Sequence, residues 1–258
     1  MNPFYFGVGA RALFGAYHPP ADRGGPEGSG VVLCYPVGVE YMRAHRAFRQ
    51  LTTLLTRAGS HVLRFDYFGT GDSAGDWAEA SVEQWTSDVG SAIQELRDTT
   101  GIDQVTLVGL RLGGALAARA ARGRGDVRRL VLWDPVVWGE EYLAELLRTP
   151  GTARFPEGRE MIGVRGYPFT RELFEGIRTI RLDEEVAGSG APVALVISHE
   201  DSAFDRLERA LRTSGREVGV ELVPSDGNWG EGDEFGSVHL PEGIIQRVVE
   251  RVGSGEMV

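Results

Sequence analysis

The sequence is poor in cysteine, in basic charge and in long apolar runs, and each shortage removes a class of function. Cys34 is the single cysteine of 258 residues. An internal disulfide and a multi-cysteine metal site are therefore both excluded. Acidic residues outnumber basic ones, 37 to 27, for a formal net charge of −10. That balance argues against nucleic acid or an anionic membrane as a partner. No apolar run approaches the roughly 20 residues needed to span a bilayer. The first fifteen residues, "MNPFYFGVGARALFG", do not pair a basic region with a long apolar one, so no secretory signal is expected and the cytoplasm is the default compartment.

What remains is an ordinary globular composition, 42% hydrophobic and 25% charged, long enough for one sizeable core. "PFYFG" and "RALFGAYHPP" read as a hairpin, followed by a Gly/Pro-rich loop, "ADRGGPEGSG". From there strand and helix patterns alternate. "GVVLCYPV", "HVLRFDYF", "QVTLVGL", "RRLVLWDPVV", "PVALVIS" and "GVELVPS" read as strands, the first continuously apolar as expected for a strand buried on both faces. Helical spacing recurs over residues 43–58, 82–96, 112–121, 203–213 and 243–252, and Ser81 to Gln84 is a candidate capping box. This alternation predicts an α/β domain with a mainly parallel sheet covered on both faces. The rhythm breaks between Trp138 and Ala187, where two or three amphipathic pieces and no convincing strand suggest a helical cap at about 138–187, lying over the carboxyl ends of the strands.

The motifs fall in a recognisable order. A strand ends at Tyr35-Pro36-Val37-Gly38. Another runs into Asp66-Tyr67-Phe68-Gly69-Thr70-Gly71-Asp72-Ser73. Then come Gly109-Leu110-Arg111-Leu112-Gly113, Trp133-Asp134-Pro135, Ser198-His199-Glu200-Asp201 and Val238-His239-Leu240-Pro241. Together they resemble the α/β-hydrolase superfamily over nearly the whole chain. "EYMRAHRAFRQL", "GLRLGG" and "LWDPVVWGEEYL" are similar in particular to exosortase A-associated hydrolases and serine aminopeptidase-like hydrolases. The resemblance implies the α/β-hydrolase fold as a single domain, a sharp strand-to-helix elbow with Arg111 at its tip, and a bacterial secondary-metabolite or exopolysaccharide setting.

Arginine at that tip rules out a seryl-enzyme, because a guanidinium stays protonated and is neither nucleophile nor base. It also sits at the positive end of a helix dipole and requires a paired anion. Asp201, Asp134 and an anionic group of the ligand are the three candidate partners. In the first case and the second, Arg111 plugs a dead site. In the third it anchors or polarises a substrate. Family positions assign Asp201 and His239 to the remaining acid–base pair, and backbone N–H groups of Val37 and Leu112 to the oxyanion hole. Tyr35-Pro36 replaces the usual His-Gly of that loop, which leaves the donor geometry open, and Asp134 is an alternative acid. Glu40 and Arg43 either reach the pocket rim or form a solvated helix start. Cys34 reads as a small buried hydrophobe, Ser73 as a turn residue, and His18, His45, His61 and His199 as structural.

Two functions follow from these residues. The first is an enzyme acting on a carbonyl or acyl small molecule through His/Asp chemistry without a serine nucleophile, by hydrolysis, a lyase-type reaction or cyclisation. The second is an inactive pseudo-hydrolase used for binding or assembly. The expected partner is a small-molecule substrate, carrier-linked acyl groups included, with a homodimer as the candidate assembly. No cofactor, metal, nucleic acid or membrane is expected.

Overall fold

The computed structural model describes residues 1–21, 29–148, 161–225, 229 and 240–253. Its sheet has eight strands, and the first two, β1 (Asn2–Phe6) and β2 (Leu13–His18), form the antiparallel hairpin expected from the sequence. β2 pairs antiparallel with β4 (His61–Phe65), and every later pairing is parallel. β3 (Gly30–Cys34) lies between β4 and β5 (Val105–Leu110), followed outward by β6 (Val127–Trp133), β9 (Val193–Ile197) and β10 (Val218–Leu222). All residues of β3, β5 and β9 are buried, which is why these strands are apolar without alternation.

Helices cover both faces. α1 (Val39–Arg57) and α8 (Glu242–Gly253) pack together. α2 (Val82–Thr100) and α3 (Leu112–Ala120) pack together as well. α2 opens on Ser81, whose hydroxyl accepts the Gln84 N–H at 3.1 Å, and closes on left-handed Gly101. α7 (Ser202–Thr213) lies between β9 and β10. Among the described residues, no helix is long and apolar enough to cross a membrane.

The segment 138–187, expected to be a helical cap, differs from its predicted form in two ways. It contains α4 (Gly139–Leu147) and α5 (Arg171–Arg178), but also a two-stranded hairpin of β7 (Met161–Val164) and β8 (Tyr167–Thr170). Four-residue strands are too short to show alternation in the sequence. Their turn is set by Arg165 and Gly166, both at positive φ, 47° and 89°, as a two-residue hairpin loop requires. The second difference concerns α6 (Leu182–Ser189), which packs on α3 and completes the β6-to-β9 crossover instead of joining the cap. Glu185 on α6 ties it there through Arg119 and Arg122 of the α3 end. The base of the cap is closed by a bridge between Trp138 and Arg181, with the Gly139 N–H donating to Ile180 and the Leu182 N–H to Val137. The excursion therefore leaves the sheet layer after Trp138 and returns at Arg181.

Candidate active site

The elbow forms because strand β5 must reverse into α3 in one residue. Arg111 makes that turn with φ 52° and ψ −122°, a region costing about 1–3 kcal/mol for a residue other than glycine. Glycine neighbours make the reversal possible. A Cβ on Gly113 would overlap the carbonyl oxygens of Cys34 and Tyr35, and one on Gly109 would overlap Gly113 and Gly114. The register pairs Cys34 with Gly109. Val37 and Leu112 thus each lie three residues beyond a paired position, at the carboxyl ends of adjacent strands. Leu112 is the first residue of α3, so its N–H has no intrahelical partner, and the Val37 N–H takes no part in the hydrogen bonds of the described residues.

Arg111 pairs with neither Asp201 nor Asp134. Its Nε donates to Glu40 Oε1 at 3.0 Å and its Nη2 to Glu145 Oε2 at 2.7 Å, while the guanidinium lies 5.3 Å from the centre of the Tyr142 ring. Tyr142 completes the network by donating its hydroxyl to Glu40 Oε2 at 2.9 Å. Burial alone would lower the Arg111 pKa, but the carboxylates of Glu40 and Glu145 outweigh it and hold the value above its ordinary range. The Glu40 side chain is 0% exposed and that of Glu145 32%, so the first pair is a core interaction and the second faces the cleft. Glu40 stands in the first turn of α1, where the helix dipole favours a carboxylate. The anion that compensates the elbow cation therefore belongs to the protein.

Glu145 and Tyr142 were not legible as site residues. Their signal is the i, i+3 spacing within "EEYLAELL", which places both on one face of α4 beside buried Leu146. Through them the cap helix is fastened directly to the elbow. Over the network opens a cleft of about 1040 Å³, lined by Arg111, Trp138, Tyr142, Glu145, His199 and Asp201 among others.

The other expected residues fall in different places. Asp201 is exposed on the cleft wall and caps α7, its Oδ1 accepting the Ala203 N–H at 2.7 Å. Asp134, at a positive φ of 39°, is 1% exposed. It accepts the Ser198 N–H at 2.7 Å and the Trp229 indole N–H at 3.5 Å, joining the ends of β6 and β9. Burial raises its pKa. Tyr35 turns its ring away from the elbow, stacking on Phe48 at 4.1 Å and accepting Arg64 Nη1 at 3.1 Å on its hydroxyl. Cys34 is fully buried, and burial pushes its thiol well above the ordinary range, as suits a core residue. Ser73 donates to the Asp66 carbonyl at 2.6 Å within its turn. His239 lies outside the described residues.

Comparison with known proteins agrees with this architecture. Residues 41–157 match the serine aminopeptidase S33 family, Hydrolase_4. Human palmitoyl-protein thioesterase ABHD10, mitochondrial, is 34% identical over 95 residues, 37% of this chain and 29% of that protein. The chain thus matches less than a third of the length of these curated relatives. Among solved structures, Est1E from Butyrivibrio proteoclasticus with bound ferulic acid superposes with a TM-score of 0.71 at 18% identity, covering 97% of this chain and 96% of that one. An alpha-beta serine hydrolase homologue from Coxiella burnetii gives 0.61 at 14% identity, covering 98% and 95%. The strand order, the elbow backbone and these likenesses together make the chain an α/β-hydrolase-fold protein.

Proposed function

We propose that this chain is a hydrolase-like enzyme that acts on the acyl or carbonyl group of a small molecule without a seryl-enzyme intermediate. The observation that carries the reading is the elbow itself. Its strained backbone, with Arg111 at the tip lining an open cleft and the Leu112 and Val37 N–H groups without a hydrogen-bond partner among the described residues, is retained although the tip side chain is arginine. An oxyanion is stabilised by preorganised N–H donors, and those donors are main-chain atoms that the serine-to-arginine change does not remove.

In this mechanism water attacks the carbonyl carbon and gives its proton to His239, oriented by Asp201. The tetrahedral oxyanion rests on the Leu112 and Val37 N–H groups. Collapse breaks the bond to the leaving group, which takes the proton back from His239. Arg111, already neutralised by Glu40 and Glu145, holds the cap over the site and is not the anchor of an anionic substrate. ABHD10 is named for a palmitoyl-protein thioester and Est1E was seen with ferulic acid, and both names support an acyl substrate class, carrier-linked acyl groups included.

The test is a panel of p-nitrophenyl esters and acyl thioesters, run beside a fluorophosphonate probe. Turnover that disappears in His239→Ala, with the wild-type protein unlabelled, is the expected result. Labelling that tracks turnover, or full activity in His239→Ala, would overturn the mechanism. One observation favours a second reading, a pseudo-hydrolase that binds without turnover: the elbow cation is fully compensated from within the chain. Saturable binding of acyl compounds with no hydrolysis across the panel would select it.

A further inference from the structure

We infer that the chain carries a second small-molecule site, in the cavity between α1 and the β1–β2 hairpin, which takes a compact monoanion with a flat apolar body and holds its charge on Arg64 and Arg49. The site is independent of the elbow cleft and of the mechanism proposed there. The cavity measures about 380 Å³, near the low end for ligand sites of roughly 300–1,000 Å³.

Its construction follows from register and helical period. Ala16 on β2 pairs with Arg64 on β4, which puts Phe14, Ala16, Arg64 and Asp66 on one face of the sheet. Tyr41, His45 and Arg49 on α1, spaced four apart, form the stripe that looks onto the same space. Tyr35 stands between them, its ring 5.2 Å from that of Tyr41.

The charge pattern points to an anion. Arg64 is half-buried, yet its bonds go to neutral atoms: Nε to His18 Nε2 at 3.3 Å, Nη1 to the Tyr35 hydroxyl at 3.1 Å, and Nη2 to Met1 Sδ at 3.8 Å. His18 is held neutral at pH 7, since burial and Arg64 lower its pKa to about 4. The ion pairs of the described residues include neither Arg64 nor Arg49. Two carboxylates, Asp66 and Asp72, line the cavity as well; both oxygens of Asp66 are engaged, by the Tyr41 hydroxyl at 2.8 Å and the Asp72 N–H at 3.0 Å, and the ion pairs of the described residues join neither acid to Arg64 or Arg49. Two guanidiniums that form no ion pair among the described residues, beside aromatic walls, suit a bidentate carboxylate whose body lies against Tyr35, Tyr41 and Phe14.

Benzoate is the probe, with benzamide as its neutral isostere, measured by titration calorimetry on the whole protein. Saturable binding of benzoate is expected, with benzamide at least about tenfold weaker, the loss of one charge-assisted contact. Arg49→Gln, at an exposed position, should weaken benzoate about tenfold. Ala16→Trp, which fills the cavity and keeps both arginines, should abolish binding, and Glu145→Gln in the elbow cleft should leave it unchanged. Equal affinity for benzamide, retained affinity in both Arg49→Gln and Ala16→Trp, or no saturable benzoate binding at millimolar concentration would overturn the assignment.

Discussion

Arg111→Met tests the elbow network most directly, because it removes the cation and keeps much of the side-chain volume. It leaves the Glu40 carboxylate 0% exposed, with the Tyr142 hydroxyl at 2.9 Å as its remaining side-chain donor among the described residues. Breaking one side of a buried ion pair costs about 3–5 kcal/mol, most of it the penalty of an uncompensated buried charge. Relief of a cation at the α3 N-terminus returns about 0.3–1 kcal/mol, so a net loss of about 3 kcal/mol is expected. For a chain of this size that corresponds to a fall in Tm of roughly 6–12 °C. Urea unfolding followed by tryptophan fluorescence, with calorimetric Tm alongside, measures it. The decisive variant is the double one. Glu40→Gln removes the stranded charge and keeps an acceptor for Tyr142, so Arg111→Met/Glu40→Gln should recover at least about 2 kcal/mol of the loss, a strong coupling in a double-mutant cycle. A single variant within about 1 kcal/mol of wild type, or a strictly additive double, would refute the claim that Glu40 is the buried counterion.

Two further outcomes follow from the same geometry. Glu145→Gln should cost about 1 kcal/mol or less globally, because that pair is a third exposed. It should nonetheless accelerate hydrogen exchange in α4 while leaving β3 and β5 protected, since it loosens the cap and not the core. Acid should destabilise the fold between pH 6.5 and 4. His18 has its pKa lowered to about 4 in the fold, so the unfolded chain binds more protons across that window and stability falls as pH falls through it. His18→Gln should flatten that part of the urea-midpoint-against-pH curve; His45 and His61, whose pKa values burial also lowers, add slope of the same sign, while Asp134 and Asp88, whose pKa values burial raises, oppose it.

Much of the architecture was legible because its signals are local. Fully buried strands such as "GVVLC" and "VTLVGL" need continuous apolar runs. The elbow needs glycine where β5 and α3 touch the loop after β3, and Gly109, Gly113 and Gly114 stand there. The cap was harder to read, because strands of four residues carry too few alternations and α6 belongs by periodicity to either layer. Glu40 was ambiguous for a related reason. An acid in the first turn of a helix is ordinary on a surface, and nothing in its neighbours says that α4 will cover it.

The sequence by itself determined the fold class, the strand–helix order and the arginine at the elbow tip, since each is written in residue type or short-range spacing. It also determined that Arg111 must have a counter-charge, because no buried guanidinium is stable alone. Only the tertiary structure decided which carboxylates supply it. Glu40 and Glu145 are separated from Arg111 by 71 and 34 positions in the chain and meet it through the parallel sheet and the folding-back of the cap. Pairing between charges depends on a few ångströms of separation in space, and that distance is fixed by packing, which no local pattern records.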